Sequence, residues 1–266
     1  MTLITSDLDR TLIFSVAFLA NWPTATPLRD VELYQGRNIS VMAEEVRRSL
    51  AQLSRQVTLV PTTTRTRAQL RRLDLGFTAR YEVCSSGAAI LEHDERDAEW
   101  DATVRALVAA ECMSYDEATA SFASWVGKSW MRQLRDAEGV FLIASVNSSA
   151  LPQEEVEALT ESLLVGNWRV VHQGSKVYAL PRVITKSAAA AHLTRRLGLS
   201  SDDVWAAGDS VLDWDMLAHA GRAWTSVDGE LASTGRRAPH LNVTVAHGVD
   251  SSVEIVRAWC RLAGPG

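Results

Sequence analysis

The chain has 266 residues, 47% of them hydrophobic, and a formal net charge of −5. That much apolar sequence can bury a full core and a smaller second unit, whereas an acidic chain lacks the basic surface typical of nucleic-acid binding. The three cysteines form no CxxC pair, which argues against a disulfide framework and a zinc site and favours a reducing compartment.

An apolar run covers residues 12–20 near the N-terminus. It is too short to span a bilayer, and Asp7 and Asp9 precede it where a secretory signal carries positive charge. The sequence therefore predicts a cytoplasmic protein without a membrane segment. Both a monomer and a homodimer are compatible with it.

The first part of the chain alternates short apolar runs with helical patterns. The predicted strands are residues 2–6, 57–60 and 82–84, and the predicted helices are residues 41–53 and 66–73. Ser40 is the expected N-cap of the first helix, and residues 21–38, with two prolines and a glycine, are predicted to be irregular. Because β-α-β units form parallel sheets, this part predicts the start of an open, doubly wound sheet.

The middle of the chain, residues 90–180, differs in pattern and predicts an inserted α+β domain. Helices are expected at residues 100–112 and 115–125, and antiparallel strands at residues 140–146 and 168–180, the latter turning near Gly174 and Ser175. The parallel pattern then resumes, with helices at residues 186–197, 212–219 and 251–262 and strands at residues 204–207, 222–226 and 242–246. The expected organisation is a core built from residues 1–89 and 181–266, interrupted by the insertion.

Two carboxylates follow the first predicted strand, in the motif Asp7-Leu8-Asp9-Arg10-Thr11. Because ligands bind at the carboxyl ends of strands in such sheets, both aspartates are expected in the binding crevice. One carboxylate can act as a nucleophile and the other as a proton donor, and paired negative charges create demand for a divalent cation. The alternative for so short a motif is a capping and turn cluster.

Further polar motifs stand at other strand ends and helix starts. The run PTTTR at residues 61–65 follows the second strand, where hydroxyl and N–H groups at a helix start can cradle phosphate. Lys186 begins a predicted helix, and Asp209 and Asp213 follow the strand at residues 204–207. Taken singly, each has an ordinary alternative: an N-cap run, a solvated lysine and a polar turn.

The order of these motifs resembles that of the haloacid dehalogenase (HAD) superfamily. The resemblance covers residues 1–90 and 181–266, and the segments VPTTTRTRAQL, VCSSGAAI, LPRVITKSAAAAHL and GDSVLDWDML are similar to sugar-phosphate phosphatases with a C2-type cap. Mannosyl-3-phosphoglycerate and sucrose-phosphate phosphatases are the types that it most resembles. The resemblance implies an α/β fold, with a doubly wound, Rossmann-like parallel-sheet core and an inserted α+β C2-type cap domain.

The resemblance also implies roles for individual residues. The implied catalytic set is Asp7, Asp9, Thr63, Lys186 and Asp213, in which Asp7 attacks phosphorus and Asp9 serves as the acid and the base. The implied Mg²⁺ ligands are Asp7, the backbone carbonyl of Asp9, and Asp209. The implied substrate contacts are Thr64, Arg65, Ser86 and Gly87.

Three residues depart from the family pattern. Arg10 replaces a common glycine, so the turn there must tolerate a side chain. Leu212 stands where an asparagine is frequent, which removes an amide from the metal shell. Ser86 replaces the asparagine usual before the glycine of the third strand's loop.

The insertion carries a basic-aromatic cluster of four residues, Trp125, Lys128, Trp130 and Arg132. It either grips the leaving group of a substrate or packs as one face of an amphipathic helix, and we expect packing. His172 and Lys176 on the predicted hairpin, and His247 after the last strand, are expected to be surface residues.

The sequence thus predicts a Mg²⁺-dependent hydrolase of small phosphate monoesters, such as sugar phosphates, that works through a phosphoaspartate at Asp7. One alternative is a phosphomutase or phosphotransferase with the same chemistry. Another is a HAD-fold binding or regulatory protein with weak catalysis, which Leu212 favours. The expected partner is a small phosphorylated molecule, with no nucleic acid and no membrane.

Overall fold

The structure, a computed structural model, describes residues 1–137 and 139–264. The chain divides into a first unit, formed by Met1–Asp97 together with the chain from Lys186 onward, and a second unit, Ala98–Thr185. These borders fall later than the expected ones at residues 90 and 180. The first does so because the strands that follow residue 88 pair with the core segment before them. Residue 138 of the predicted insertion and residues 265–266 of the predicted core lie outside the described residues.

The chain before residue 98 alternates strands with short helices. In chain order the elements are β1 (Leu3–Ser6), β2 (Phe14–Ser15), α1 (Val16–Leu19), β3 (Leu28–Tyr34), β4 (Arg37–Ala43), α2 (Glu44–Leu53), β5 (Thr58–Pro61), α3 (Arg67–Leu70), β6 (Tyr81–Cys84), a 3-10 turn (Ser85–Gly87), β7 (Ala89–Glu92) and β8 (Glu95–Arg96). The predicted strands at residues 2–6, 57–60 and 82–84 correspond to β1, β5 and β6.

The expectation of an irregular segment at residues 21–38 is wrong, because β3 and β4 form an antiparallel hairpin there. Its turn uses Gln35 and Gly36, whose φ angles of 50° and 74° suit a tight hairpin turn. Ser40 lies within β4 and is not a helix N-cap, and the helix expected from residue 41 begins at Glu44. The apolar residues after Ser40 are buried along the strand, which delays the helix by one turn.

The second unit is an antiparallel sheet with helices. In chain order its elements are α4 (Ala98–Glu111), α5 (Tyr115–Ala120), a 3-10 turn (Ala123–Trp125), β9 (Met131–Ala137), β10 (Phe141–Val146), α6 (Gln153–Val165), β11 (Trp168–Gln173) and β12 (Lys176–Pro181). The strands are ordered β11-β12-β10-β9 and all pair antiparallel. The predicted α+β character is confirmed, although the sequence patterns indicated neither β9 nor α6.

The tryptophans of the basic-aromatic cluster lie in the core of this second unit. Trp125 and Trp130 are buried and meet edge to face, with ring centroids 4.9 Å apart. Phe122 meets Trp125 at 5.2 Å in the same manner. The rings pack as expected, but they do not form a helix face, because Trp125 ends a 3-10 turn and Trp130 precedes β9.

The chain after the insertion returns to alternating helices and strands. In chain order the elements are α7 (Lys186–Arg196), a 3-10 turn (Ser201–Asp203), β13 (Val204–Ala207), α8 (Trp214–His219), β14 (Arg222–Thr225), α9 (Glu230–Ser233), β15 (Leu241–Val243) and α10 (Gly248–Ala263). No helix in the described ranges combines the length and the hydropathy that a membrane crossing requires.

The core unit is built on a parallel sheet in the order β15-β14-β13-β1-β5, and a bridge from Thr62 to Val83 brings β6 alongside β5. Because the side chains of a strand alternate, Ile4 of β1 can join the hydrophobic cluster of α2 and α10 while its neighbours face the other way. Val46, Val256 and Trp259 of that cluster are almost fully buried. The predicted doubly wound α/β core is confirmed, and its topology sets the strand ends of β5, β1 and β13 side by side.

Candidate active site

The catalytic candidates meet because of sheet register. Ser6, the last residue of β1, stands opposite Pro61 of β5 and Ala207 of β13. Beyond them, the N–H of Asp7 donates to the carbonyl of Ala207 at 2.9 Å, and the N–H of Thr62 donates to the carbonyl of Ser6 at 2.7 Å. Asp7 therefore lies between the threonine run and the glycine-aspartate loop, at the carboxyl ends of three neighbouring strands.

Lys186, the first residue of α7, places its side chain at the same strand ends. Its Nζ lies 2.5 Å from Oδ1 of Asp7 and 2.6 Å from Oδ1 of Asp213. The Lys186 side chain is 2% exposed and that of Asp213 is 0% exposed, so the ammonium is enclosed between two carboxylates. The alternative of a solvated lysine is thereby excluded, because a buried lysine persists only when its charge is paired.

Asp213 is saturated with donors. Besides Lys186 on Oδ1, its Oδ2 accepts from the N–H groups of Asp209 and Ser210 at 3.1 and 3.0 Å and from the Ser210 hydroxyl at 2.9 Å. Gly208 makes this packing possible, because a methyl group there would lie 2.4 Å from Cβ of Asp213. Asp213 thus fixes both the lysine and the loop that carries Asp209.

Asp209, in contrast to Asp213, has a carboxylate oxygen without a hydrogen-bond partner. Its side chain is 4% exposed, yet its Oδ2 is buried without a hydrogen-bond partner, and the nearest cation is Arg10, with Nε at 3.6 Å. Oxygens of Asp7, Asp209 and Asp213 lie within 4.8 Å of one another. Mg²⁺ prefers carboxylate oxygens as ligands, and the buried Oδ2 of Asp209 lacks a hydrogen-bond partner. These residues therefore fit the Mg²⁺ ion that the resemblance to the HAD superfamily implies.

Burial shifts the titration of these groups. The pKa of Asp7 is raised to about 7, mainly by burial, with Lys186 opposing the shift and Asp213 and Asp9 adding to it. Burial also raises the pKa of Asp209 well above its usual range, and the charges of Asp7 and Asp213 add to this. The pKa of Lys186 is raised, because its two carboxylate neighbours outweigh the burial that lowers it. Ionising Asp7 and Asp209 is therefore unfavourable in the buried cluster, and a bound cation would relieve that cost.

The Asp9 side chain is less enclosed than those of Asp7, Asp209 and Asp213. Its carboxylate is 46% exposed and accepts two bonds from Arg65, with Nε to Oδ2 at 2.7 Å and Nη2 to Oδ1 at 2.8 Å. The same guanidinium donates through Nη1 to Glu32 at 2.8 Å. Arg65 was predicted to contact the substrate, and three of its five N–H groups bind the chain's own carboxylates.

The threonine run and the third strand's loop are tied together beside Asp7. Thr63 is fully buried; its hydroxyl accepts from the N–H of Arg65 at 3.1 Å, and its carbonyl accepts from the N–H of Ser86 at 3.0 Å. Ser86 and Gly87 are buried in the 3-10 turn, whereas Thr64 is half-buried. Ser86 adopts a left-handed φ of 60°, and its hydroxyl is buried without a hydrogen-bond partner. These groups form a polar cluster whose unpaired Ser86 hydroxyl could bind an oxyanion.

Two residues of the site were missed as site residues by sequence reasoning. Arg10 has φ of 63°, and this left-handed turn directs its side chain to Asp209, to the carbonyl of Asp228 at 3.3 Å and to the ring of Phe18 at 5.5 Å. One indication of this role was present in the sequence, because Arg10 replaces a glycine that is common in the family. Glu32 gave no signal, because the segment around it was expected to be irregular.

The other candidates from the sequence are exposed or half-exposed side chains. His172 is exposed and contacts the carbonyl of Gly174 at 3.0 Å. His247 is exposed and stacks on Trp22, with ring centroids 5.6 Å apart. Lys128 is half-exposed and lies 3.8 Å from Glu155. Arg132 is exposed on β9.

No family model matches the chain, and no curated protein matches it significantly in sequence. Solved structures do match. The sucrose-phosphatase of Synechocystis, solved with sucrose and phosphate, gives a TM-score of 0.67 at 15% identity over 97% of each chain. A sugar phosphatase of HAD subclass IIB gives 0.63 at 12% identity over 97% of each chain. A HAD phosphatase from Bacteroides thetaiotaomicron gives 0.56 at 12% identity, covering 97% of this chain and 95% of its own. At such identities the likeness shows the fold, and it confirms the predicted resemblance to the HAD phosphatases at that level.

Proposed function

We propose that this chain is a Mg²⁺-dependent hydrolase of phosphate monoesters that forms a phosphoaspartate on Asp7. The observation that carries the proposal is the buried Asp7–Lys186–Asp213 array next to Asp209, whose Oδ2 has no hydrogen-bond partner. A nucleophilic carboxylate needs nearby positive charge before a phosphate dianion can approach it. The fold shared with HAD phosphatases supports the same chemistry.

In the first step an oxygen of Asp7 attacks phosphorus and the bond from phosphorus to the leaving oxygen breaks. Asp9, which is protonated at the start of the cycle, gives its proton to that oxygen, which departs as an alcohol, and Asp7 becomes an aspartyl phosphate. Lys186 neutralises charge on Asp7 and on the phosphoryl oxygens, and Asp213 holds the lysine in place. Thr63 binds the transferring phosphoryl group.

In the second step water attacks the phosphorus of the aspartyl phosphate. Asp9, now a carboxylate, takes a proton from that water, and the bond between phosphorus and Asp7 breaks. Inorganic phosphate leaves, Asp7 returns to its starting form and Asp9 is again protonated. The two steps sum to hydrolysis of one ester bond by one water molecule.

Mg²⁺ would be held by the carboxylates of Asp7 and Asp209 and by the backbone carbonyl of Asp9. When bound, it supplies positive charge against the phosphoryl oxygens during transfer. Asp213 is a less suitable direct ligand, because protein donors already occupy both of its oxygens. Its part is to orient the residues around it.

The substrate class we favour is a small phosphorylated metabolite, a sugar phosphate in particular. The hydroxyl groups of Thr64 and Ser86 and the backbone of Gly87 would face the oxyanion. The sucrose-phosphatase with a similar fold supports this choice of class.

The direct test is a phosphate-release screen over sugar phosphates, phosphoglycerates and nucleotides. One arm contains Mg²⁺, one contains EDTA and one uses Asp7→Asn with Mg²⁺. The proposal predicts release only in the first arm. Transfer of the phosphoryl group back to substrate without net release favours a mutase, and no turnover together with no Mg²⁺ binding favours a regulatory protein.

A further inference from the structure

Glu32 lies on β3 and has no place in the chemistry described above, yet its side chain is 0% exposed. Its Oε2 accepts from Nη1 of Arg65 at 2.8 Å and from the hydroxyl of Ser40 at 2.7 Å. Its Oε1 accepts from Nε of Arg72 at 3.0 Å. A buried carboxylate is stable only where such donors replace its hydration, so Glu32 is fixed from three directions.

Arg65 connects this fixed point to the carboxylate of Asp9. One edge of its guanidinium binds both oxygens of Asp9, while Nη1 binds Glu32. Side-chain exposure rises from 0% at Glu32 to 13% at Arg65 and 46% at Asp9. The buried Glu32 therefore sets the plane of the Arg65 guanidinium, and the two hydrogen bonds from Arg65 set the plane of the Asp9 carboxylate.

We propose that Glu32 is a positioning residue for phosphoryl transfer: it fixes Arg65, and Arg65 aims the Asp9 carboxylate at the leaving oxygen and then at the attacking water. The inference rests on the proposed phosphatase function, and it explains what orients the side chain that transfers protons in that function. Glu32 itself exchanges no proton. A carboxylate has about four lone-pair positions, so the two bonds to Arg65 leave each Asp9 oxygen a free direction for the transferred proton.

Loss of the contact between Glu32 and Arg65 should affect proton transfer in a way that a loss of stability alone would not. An Asp9 side chain that is nearly half exposed would leave its aligned rotamer when Arg65 is free to move. Proton transfer would become less frequent, while Lys186 and Asp7 would remain as they are. The defect would then depend on the leaving group, because an alkoxide needs the proton whereas a nitrophenolate is a stable anion.

The test compares Glu32→Gln with wild type on an alkyl phosphate that the wild type hydrolyses and on 4-nitrophenyl phosphate, both with Mg²⁺. Glu32→Gln should lower kcat/KM for the alkyl ester by about 10-fold or more and for the aryl ester by less than about twofold. KM should change little for either ester. Ser40→Ala, which removes one donor to Glu32 and no charge, should show a smaller effect of the same kind.

Glu92→Gln is the matched control, because Glu92 also binds two arginines, Arg80 at 3.0 Å and Arg196 at 2.8 Å, away from Asp9. It should change the ratio of the two kcat/KM values by less than about twofold. Thermal unfolding confirms that each variant is folded, and Ser40→Ala alone decides the question if Glu32→Gln does not fold.

An equal fall on both esters, or no change on either, overturns the role of Glu32 and leaves the phosphatase proposal intact. Absence of wild-type phosphate release from every ester overturns the phosphatase proposal, and the role of Glu32 with it. The two failures are distinguished by the wild-type arm.

Discussion

The ammonium of Lys186 lies 2.5 Å from the Asp7 carboxylate in a site where both side chains are almost fully buried. Burial alone would drive the proton onto Asp7, and the lysine opposes that effect. Because Asp213 holds the lysine from the other side at 2.6 Å, the positive charge stays at the nucleophile without help from solvent. This pairing gives Asp7 a cation beside it before any metal binds.

Replacing Lys186 by Met should remove that cation while preserving the side chain's length. We expect kcat to fall by about 10²-fold or more, since loss of one group that stabilises transition-state charge costs about 3 kcal/mol. The pKa of Asp7 should rise, which moves Mg²⁺ binding to higher pH. Phosphate-release kinetics and calorimetric titration with Mg²⁺ at two pH values check both effects, and a kcat within threefold of wild type would refute the role of the lysine.

The raised pKa of Asp7 predicts how the stability of the metal-free protein depends on pH. Between its usual value of 3.8 and about 7 the folded chain holds the proton more tightly than the unfolded chain does. The free energy of unfolding should therefore decrease as the pH rises through this window, and Asp209 acts in the same direction. In EDTA, Asp7→Asn should gain in Tm relative to wild type between pH 5 and pH 7.

Mg²⁺ should reverse this loss of stability. Because protons and the cation compete for the same oxygens, Mg²⁺ should raise the Tm more at pH 8 than at pH 6. Scanning calorimetry with and without Mg²⁺ measures the difference. Equal stabilisation at both pH values, or an unchanged shift in Asp7→Asn, would contradict the assignment of the cation site.

Arg10 brings a positive charge to within 3.6 Å of Asp209, where the cation is expected, and does so from a left-handed backbone with φ of 63°. Arg10→Gly should tighten Mg²⁺ binding by roughly fivefold, about 1 kcal/mol, since its charge is partly exposed and screened. Arg10→Ala should tighten binding equally but keep the backbone strain. A stability advantage of about 1 kcal/mol for the glycine variant over the alanine variant would identify that strain.

The buried rings of the second unit should contribute to stability. Trp125 is 1% exposed and packs against Trp130, so Trp125→Ala should cost about 3–5 kcal/mol in the free energy of unfolding of that unit. Lys128→Ala, at a half-exposed position, should cost less than about 1 kcal/mol. Chemical denaturation of both variants provides the comparison, and equal stabilities would show that the ring is not part of the core.

The motif-bearing strands were predictable because each buried run ends at a polar cluster. β1, β5 and β13 each consist of residues that a parallel sheet buries, and Asp7, the threonine run and Asp209 follow at once. Parallel topology then brings the ends together whatever the sequence distance. Lys186 lies 179 residues from Asp7, and their pairing was implied by the resemblance to the HAD superfamily.

The β3–β4 hairpin and Glu32 were not predictable by the same reasoning. Prolines and a glycine at residues 21–38 indicate irregular backbone, and the polar side chains of β3 hide its one buried apolar position, Val31. A glutamate in such a segment is expected on the surface. Its burial depends on Arg65 and Arg72, which lie 33 and 40 residues away, and no local pattern carries that information.

The central claim is that the phosphoryl group passes through Asp7, and peptide mass spectrometry of acid-quenched reactions tests it most directly. The protein is mixed with Mg²⁺ and an ester that it hydrolyses, quenched during turnover and digested. We predict a phosphoryl group on the peptide that contains Asp7, absent in EDTA and in Asp7→Asn. Phosphate release with the phosphoryl group on a different residue, or equal release by Asp7→Asn, would contradict the mechanism.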